Sequence, residues 1–164
     1  MMRIRITFAK KEAMRFTSHL DLHRAWERTF RRAGLPLAYT QGFSPHPRLN
    51  LASALPLGFT GEAEVIDAWL ESDLQVSQIL AQLETTLPPG MAIQSIDEVE
   101  PSLPALQSIL MANEYLVTLL EPVDGLQHKV EELLGSQSIV RERRGKSYDL
   151  RLLILALIVF EMEV

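Results

Sequence analysis

The stretch Leu49-Asn50-Leu51-Ala52-Ser53-Ala54-Leu55-Pro56-Leu57-Gly58-Phe59-Thr60-Gly61-Glu62-Ala63-Glu64-Val65-Ile66-Asp67-Ala68-Trp69-Leu70 reads as two strands joined by a turn. Residues 49–55 alternate apolar and polar side chains, Gly58-Phe59-Thr60-Gly61 supplies a hairpin turn, and residues 62–70 return through Val65, Ile66 and Trp69. The segments on either side of this hairpin read as helices. Upstream, Ser18 with Asp21 three residues on is a variant capping box, and the helix it opens runs to about Ala33, where Gly34 and Pro36 stop it. Downstream, Ser72-Asp73 is expected to cap a helix with apolar positions Leu74, Ile79, Leu80, Leu83 and Leu87, ended by Pro88-Pro89-Gly90. A strand lies outside each helix: residues 2–10, with Ile4, Ile6 and Phe8 on one face, and residues 91–99. The order β-α-β-β-α-β predicts an α+β protein with the split βαβ arrangement of the ferredoxin-like fold.

Glu100-Pro101-Ser102-Leu103-Pro104 reads as a linker closing a first domain over residues 1–100. The pattern then restarts over residues 113–164. A strand is expected at 115–120, a helix at 124–134, a strand through Ile139 and Val140, and a basic turn at 141–146. A long apolar strand then runs from Leu152 to the C-terminus. That is a second, incomplete ferredoxin-like unit, and a chain ending on its most apolar strand looks truncated or borrows its cover from elsewhere.

The 164 residues are 47% hydrophobic and 23% charged, the balance of a packed globular chain. No cysteine is present, which excludes a disulfide framework, a thiolate zinc site, a thiol nucleophile and a cluster held by this chain. The apolar run 152–160 is far below the about 20 residues of a spanning helix, so a soluble, cytoplasmic protein with no membrane partner is expected. Residues 1–50 carry ten Lys and Arg against three Asp and Glu, a net +7, whereas residues 51–164 carry a net −12. Such asymmetry points to a basic surface facing an anion, or to mutual attraction of the two parts in the fold.

Two segments gather groups capable of chemistry. On the first helix Arg24, Arg28, Arg31 and Arg32 form one stripe beside the apolar stripe Leu22, Trp26, Phe30 and Ala33. Guanidiniums four residues apart repel, and phosphate matches their fork geometry. The second segment is the loop Tyr39-Thr40-Gln41-Gly42-Phe43-Ser44-Pro45-His46-Pro47-Arg48, stiffened by its two prolines. Tyr39, Gln41, Phe43, His46 and Arg48 offer stacking, amide and cationic groups, a set suited to a nucleotide or single-stranded RNA. The alternative is a stiff connection covering a sheet edge. His19 and His23, four residues apart, point the same way, but no third ligand accompanies them and no metal site is expected. Walker, G-x-S-x-G and H-E-x-x-H signatures are absent.

Phe16-Thr17-Ser18-His19-Leu20-Asp21-Leu22, Arg24-Ala25-Trp26-Glu27-Arg28, Arg31-Arg32-Ala33-Gly34-Leu35-Pro36, Gln41-Gly42-Phe43-Ser44-Pro45-His46-Pro47 and Leu55-Pro56-Leu57-Gly58 closely resemble the bacterial radical-SAM-linked domain of unknown function. The likeness is dense over residues 1–70 and thins to Asp149-Leu150-Arg151. The resemblance implies a partner, a cobalamin-binding radical S-adenosylmethionine protein, fused or encoded nearby. That partner would carry the iron–sulfur cluster, S-adenosylmethionine and cobalamin; this chain would carry no cofactor. It also implies chains longer than this one, and motif positions at Ser18, His19, Asp21, Gly42 and His46. The leading expectation is an accessory domain presenting a substrate, RNA among the candidates. The alternatives are a docking module using Trp69 or the C-terminal apolar strand, and a small RNA-processing enzyme using His19 or His46.

Overall fold

The computed structural model describes residues 1–160, and the chain divides after Ala112 into two compact units, the second beginning at Asn113. In the first unit the chain runs β1 (Met2–Lys10), α1 (His19–Arg32), β2 (Leu49–Leu51), β3 (Gly61–Leu70), α2 (Val76–Glu84) and β4 (Met91–Val99). The sheet order is β2-β3-β1-β4 with every pair antiparallel, the ferredoxin-like arrangement. Alternation explains which face is dry. Ile4, Ile6 and Phe8 of β1 and Ile66, Ala68 and Leu70 of β3 pack with Trp26 and Phe30 of α1 and Ile79 and Leu83 of α2. Phe8 meets Trp26 edge-on at 4.9 Å between ring centroids, and Trp26 lies 5.9 Å from Phe30.

Helix α1 begins and ends where its sequence dictates. The Asp21 N–H donates to Ser18 Oγ at 3.2 Å. At the other end Leu35 N–H donates to Phe30 O and Gly34 N–H to Arg31 O, a Schellman closure that needs Gly34 at φ +68°. Two expectations fail here. Strand β2 has only three residues, because residues 52–60 leave the ladder after Leu51 pairs with Ile66 and form a longer connection than a tight turn. Helix α2 starts after Gln75 rather than at Ser72-Asp73; Asp73 instead lies 3.8 Å from the Met1 amino group.

The segment expected as a linker is a strap on the first unit. Arg3 donates to the carbonyls of Leu103 and Pro104, the latter at 2.9 Å. Beyond it a short helix, α3 (Leu106–Ile109), buries Leu106, whose N–H donates to Asn50 Oδ1 at 3.1 Å. Its function is to cover part of the sheet face that α1 and α2 leave open.

In the second unit, helix α4 (Leu126–Gly135) is followed by the hairpin β5 (Val140–Arg143) and β6 (Lys146–Asp149). Arg144 and Gly145 at the turn both have positive φ, 52° and 72°, as a two-residue turn of this hand requires. Asp149 and Arg151 tie the unit together. Asp149 Oδ1 accepts from Ile139 N–H and Arg151 N–H, while the Arg151 guanidinium reaches Leu134 O and Ile154 O. The Ile139 bond comes first among the causes that hold the Asp149 carboxyl below its ordinary range. Over the described residues the strands expected at 115–120 and from Leu152 are not formed: 115–120 and 152–160 are irregular apart from a 3-10 turn at Arg151–Leu153. A strand needs a neighbouring strand for its ladder, and among the described residues neither stretch pairs with one. Residues 161–164 of the expected C-terminal strand lie outside the described residues.

Candidate functional site

Loop 39–48 is built by backbone stitching. Tyr39 pairs with Pro47 as an isolated bridge, Thr40 N–H donates to His46 O at 2.8 Å, and His46 N–H donates to Thr40 Oγ1 at 3.0 Å. Its base is fastened to β3, with Ala38 N–H on Trp69 O and Trp69 N–H on Arg48 O. Gly42, at φ +133°, takes a conformation that a side chain would strain, which lets the tip turn.

The stitched base forms one wall of an open cleft of about 660 Å³, lined by Met1, Ala38, Tyr39, Thr40, Gln41, Arg48 and Glu71. Three expected site residues therefore converge here: Tyr39, Gln41 and Arg48. Phe43 stands fully exposed at the loop tip. His46 lies outside the lining, with Nε2 3.4 Å from Ser44 Oγ. Arg48 is held from behind. Its guanidinium stacks on the Trp69 ring at 4.8 Å, and Nη1 contacts Met1 Sδ at 3.3 Å. Glu71 shares the cleft and is exposed, and among the described residues its carboxylate has no ion pair or hydrogen bond. Nothing in the spacing of a single glutamate after a strand marked it beforehand.

Behind Arg48 lies a buried charge network on the sheet face opposite α1 and α2. Arg3 donates to Asp67 Oδ2 from Nε at 3.0 Å and Nη2 at 2.6 Å. Arg5 donates to Oδ1 from Nε at 2.9 Å and to Oδ2 from Nη2 at 3.0 Å. Arg3 also stacks on Trp69 at 4.7 Å, so that ring touches two guanidiniums. Trp69 is 8% exposed, which removes it as the surface docking residue its sequence position suggested.

The arginine stripe on α1 is partly neutralised by its own helix. Arg24 pairs with Asp21 at 3.3 Å, Arg31 pairs with Glu27 at 2.8 Å, and Arg32 donates to Thr86 O at 2.7 Å. Arg28 has no such partner among the described residues. Arg48 does not extend the stripe, because it stacks on Trp69, beyond the sheet from α1. Ser18 and Asp21 are accounted for by the cap: Ser18 Oγ donates to Asp21 Oδ2 at 2.7 Å, and this bond, followed by Arg24, lowers the Asp21 carboxyl pKa. His19, half-buried, has Nδ1 without a partner. Among the described residues no three His, Asp or Glu groups converge as a metal site.

Near that cap two distant motif segments meet. Buried Lys10 donates from Nζ to Thr17 O at 3.1 Å, Phe59 O at 3.2 Å and Arg15 O at 3.4 Å. Arg15 Nε donates to Gly58 O, and Gly58 N–H returns to Arg15 O. Phe16, Leu20 and Leu57 stand exposed around this junction.

Residues 3–164 match the family described as an uncharacterized protein conserved in bacteria, DUF2344. No curated protein matches the chain. Among the described residues no helix is long and apolar enough to cross a membrane.

Proposed function

Since the chain belongs to this uncharacterized bacterial family, we propose its function from the site's chemistry: it is an accessory domain that binds single-stranded RNA as substrate for a radical S-adenosylmethionine partner. The observation that carries the reading is the cleft where Tyr39, Gln41 and Arg48 converge, with most Arg48 N–H donors unspent. A stacking ring, an amide and a cation pre-positioned by Trp69 suit an unstacked base and its phosphate. Exposed Phe43 adds a second stacking surface beside the Arg48 cation. The partner is supported by the motif resemblance at residues 16–22 and 41–47. It would supply the cluster, S-adenosylmethionine and cobalamin, while this chain holds the substrate.

Fluorescence anisotropy with a labelled single-stranded RNA tests the reading. Affinity should fall with salt, at a slope of about −0.7 per neutralised phosphate. Arg48→Ala should reduce that slope by about 0.7, and Phe43→Ala should cost about 1–3 kcal/mol through lost stacking. Absence of binding at low salt, or full binding by both variants, would overturn it.

A second reading, docking of that partner, is favoured by the exposed Phe16, Leu20 and Leu57 on a scaffold pinned by Lys10 and Arg15. It predicts that a co-expressed radical S-adenosylmethionine protein co-purifies at high salt and is lost on Phe16→Ser. Retention by that variant counts against it.

A further inference from the structure

Arg48 and Glu71 line the same cleft, yet they do not pair with each other. A guanidinium and a carboxylate on one cleft usually close a salt bridge unless something holds them apart. Here the Trp69 stack and the Met1 sulfur fix Arg48, while the Glu71 backbone N–H is fixed on Pro36 O at 2.8 Å. Both groups thus keep unspent hydrogen-bonding capacity at one opening, donors from Arg48 and an acceptor pair from Glu71. Tyr39 lies in the same lining as an aromatic platform.

We propose that this cleft reads guanine, Arg48 donating to the base's O6 and N7 and Glu71 accepting from its N1–H and N2–H, with Tyr39 stacked on the ring. The argument is one of edges. Guanine presents two acceptors along one edge and two adjacent donors along the next, the complement of a guanidinium and a carboxylate that share one cleft. Adenine offers its N1 acceptor where guanine offers N1–H, so a carboxylate there meets a lone pair. Cytosine places the N3 acceptor in the same conflict, and uracil offers one donor instead of two. The volume of about 660 Å³ lies within the range of small-molecule sites, about 300–1,000 Å³.

The inference rests on loop 39–48 binding RNA, and the experiment separates the two claims. The probes are short oligoadenylates carrying one guanine, one inosine or none, measured on the whole chain. The guanine probe should bind at least about tenfold more tightly than the adenine-only probe, with inosine between them because it lacks the N2 amine. Glu71→Gln, at an exposed position, should abolish the guanine preference: the guanine probe loses its acceptor pair, while the adenine-only probe binds at least as well as before, because an amide no longer opposes the adenine N1 lone pair. Equal binding of all three probes, or a guanine preference that survives Glu71→Gln, overturns guanine readout while RNA binding stands. Failure of every probe to bind overturns both.

Discussion

Asp67→Ala should lower the stability of the first unit by about 3–5 kcal/mol, the loss expected when one partner of a buried ion pair is removed. Asp67 is fully buried, Arg3 is 1% exposed, and the one carboxylate receives four hydrogen bonds from two guanidiniums. Without it Arg3 keeps the Leu103 and Pro104 carbonyls and the Trp69 ring, none of which carries a neutralising charge. Arg5 is a quarter exposed and can turn to water, so most of the loss belongs to Arg3. With a urea slope of about 1–3 kcal/mol per molar, the midpoint followed by tryptophan fluorescence should fall by more than about 1 M. Arg3→Met combined with Asp67→Leu should recover much of the loss, since an apolar pair leaves no orphan charge. Arg24→Ala, which breaks an exposed pair, should cost under about 1 kcal/mol. A similar small loss in Asp67→Ala would show that water reaches the network.

That network also marks where sequence reasoning stops. Alternation in β1 correctly separates Ile4, Ile6 and Phe8 from Arg3 and Arg5, and the caps of α1 are readable because Ser18, Asp21 and Gly34 act within a few residues. Alternation treats the second face as wet, however. The strap that covers Arg3 comes from residues about a hundred positions away, and no local pattern announces it. The stretches 115–120 and 152–160 fail for a related reason: strand propensity expresses packing against neighbouring strands, and these have none among the described residues. In the site, the proline-stiffened loop was legible as a rigid platform, and Tyr39, Gln41 and Arg48 do converge. Glu71 and the Trp69 backing were not, because they arrive from β3 and its end. Nor did the sequence show that α1 neutralises two of its four stripe arginines, although Asp21 and Glu27 stood three and four residues from the arginines they pair with.

Lys10 had a local signal, since it falls on the same strand parity as Ile4, Ile6 and Phe8, and its replacement should be the most informative about the motif junction. Lys10→Met keeps the apolar stem but removes the ammonium that the Thr17 and Phe59 carbonyls accept from, while Arg15 O keeps the Gly58 N–H. Each unsatisfied buried acceptor costs about 1–3 kcal/mol, and relaxation toward water at this edge brings the expected total to about 3 kcal/mol. The damage should be local first. Hydrogen exchange at Thr17 and Gly58, whose amides donate to Met14 O and Arg15 O, should quicken by a larger factor than at the central amides of β1. The proposed docking through Phe16 and Leu57 should weaken with it, while the proposed RNA binding at the other end of β1 should persist, because the loop that carries Tyr39, Gln41 and Arg48 is stitched to β3. The pH response gives an independent check. Burial lowers the Lys10 pKa below 10.5, so between the folded value and 10.5 the unfolded chain holds more protons and stability rises with pH. Lys10→Met should flatten that rise; an unchanged slope, or uniform exchange across the unit, would mean that the ammonium does not pin these segments.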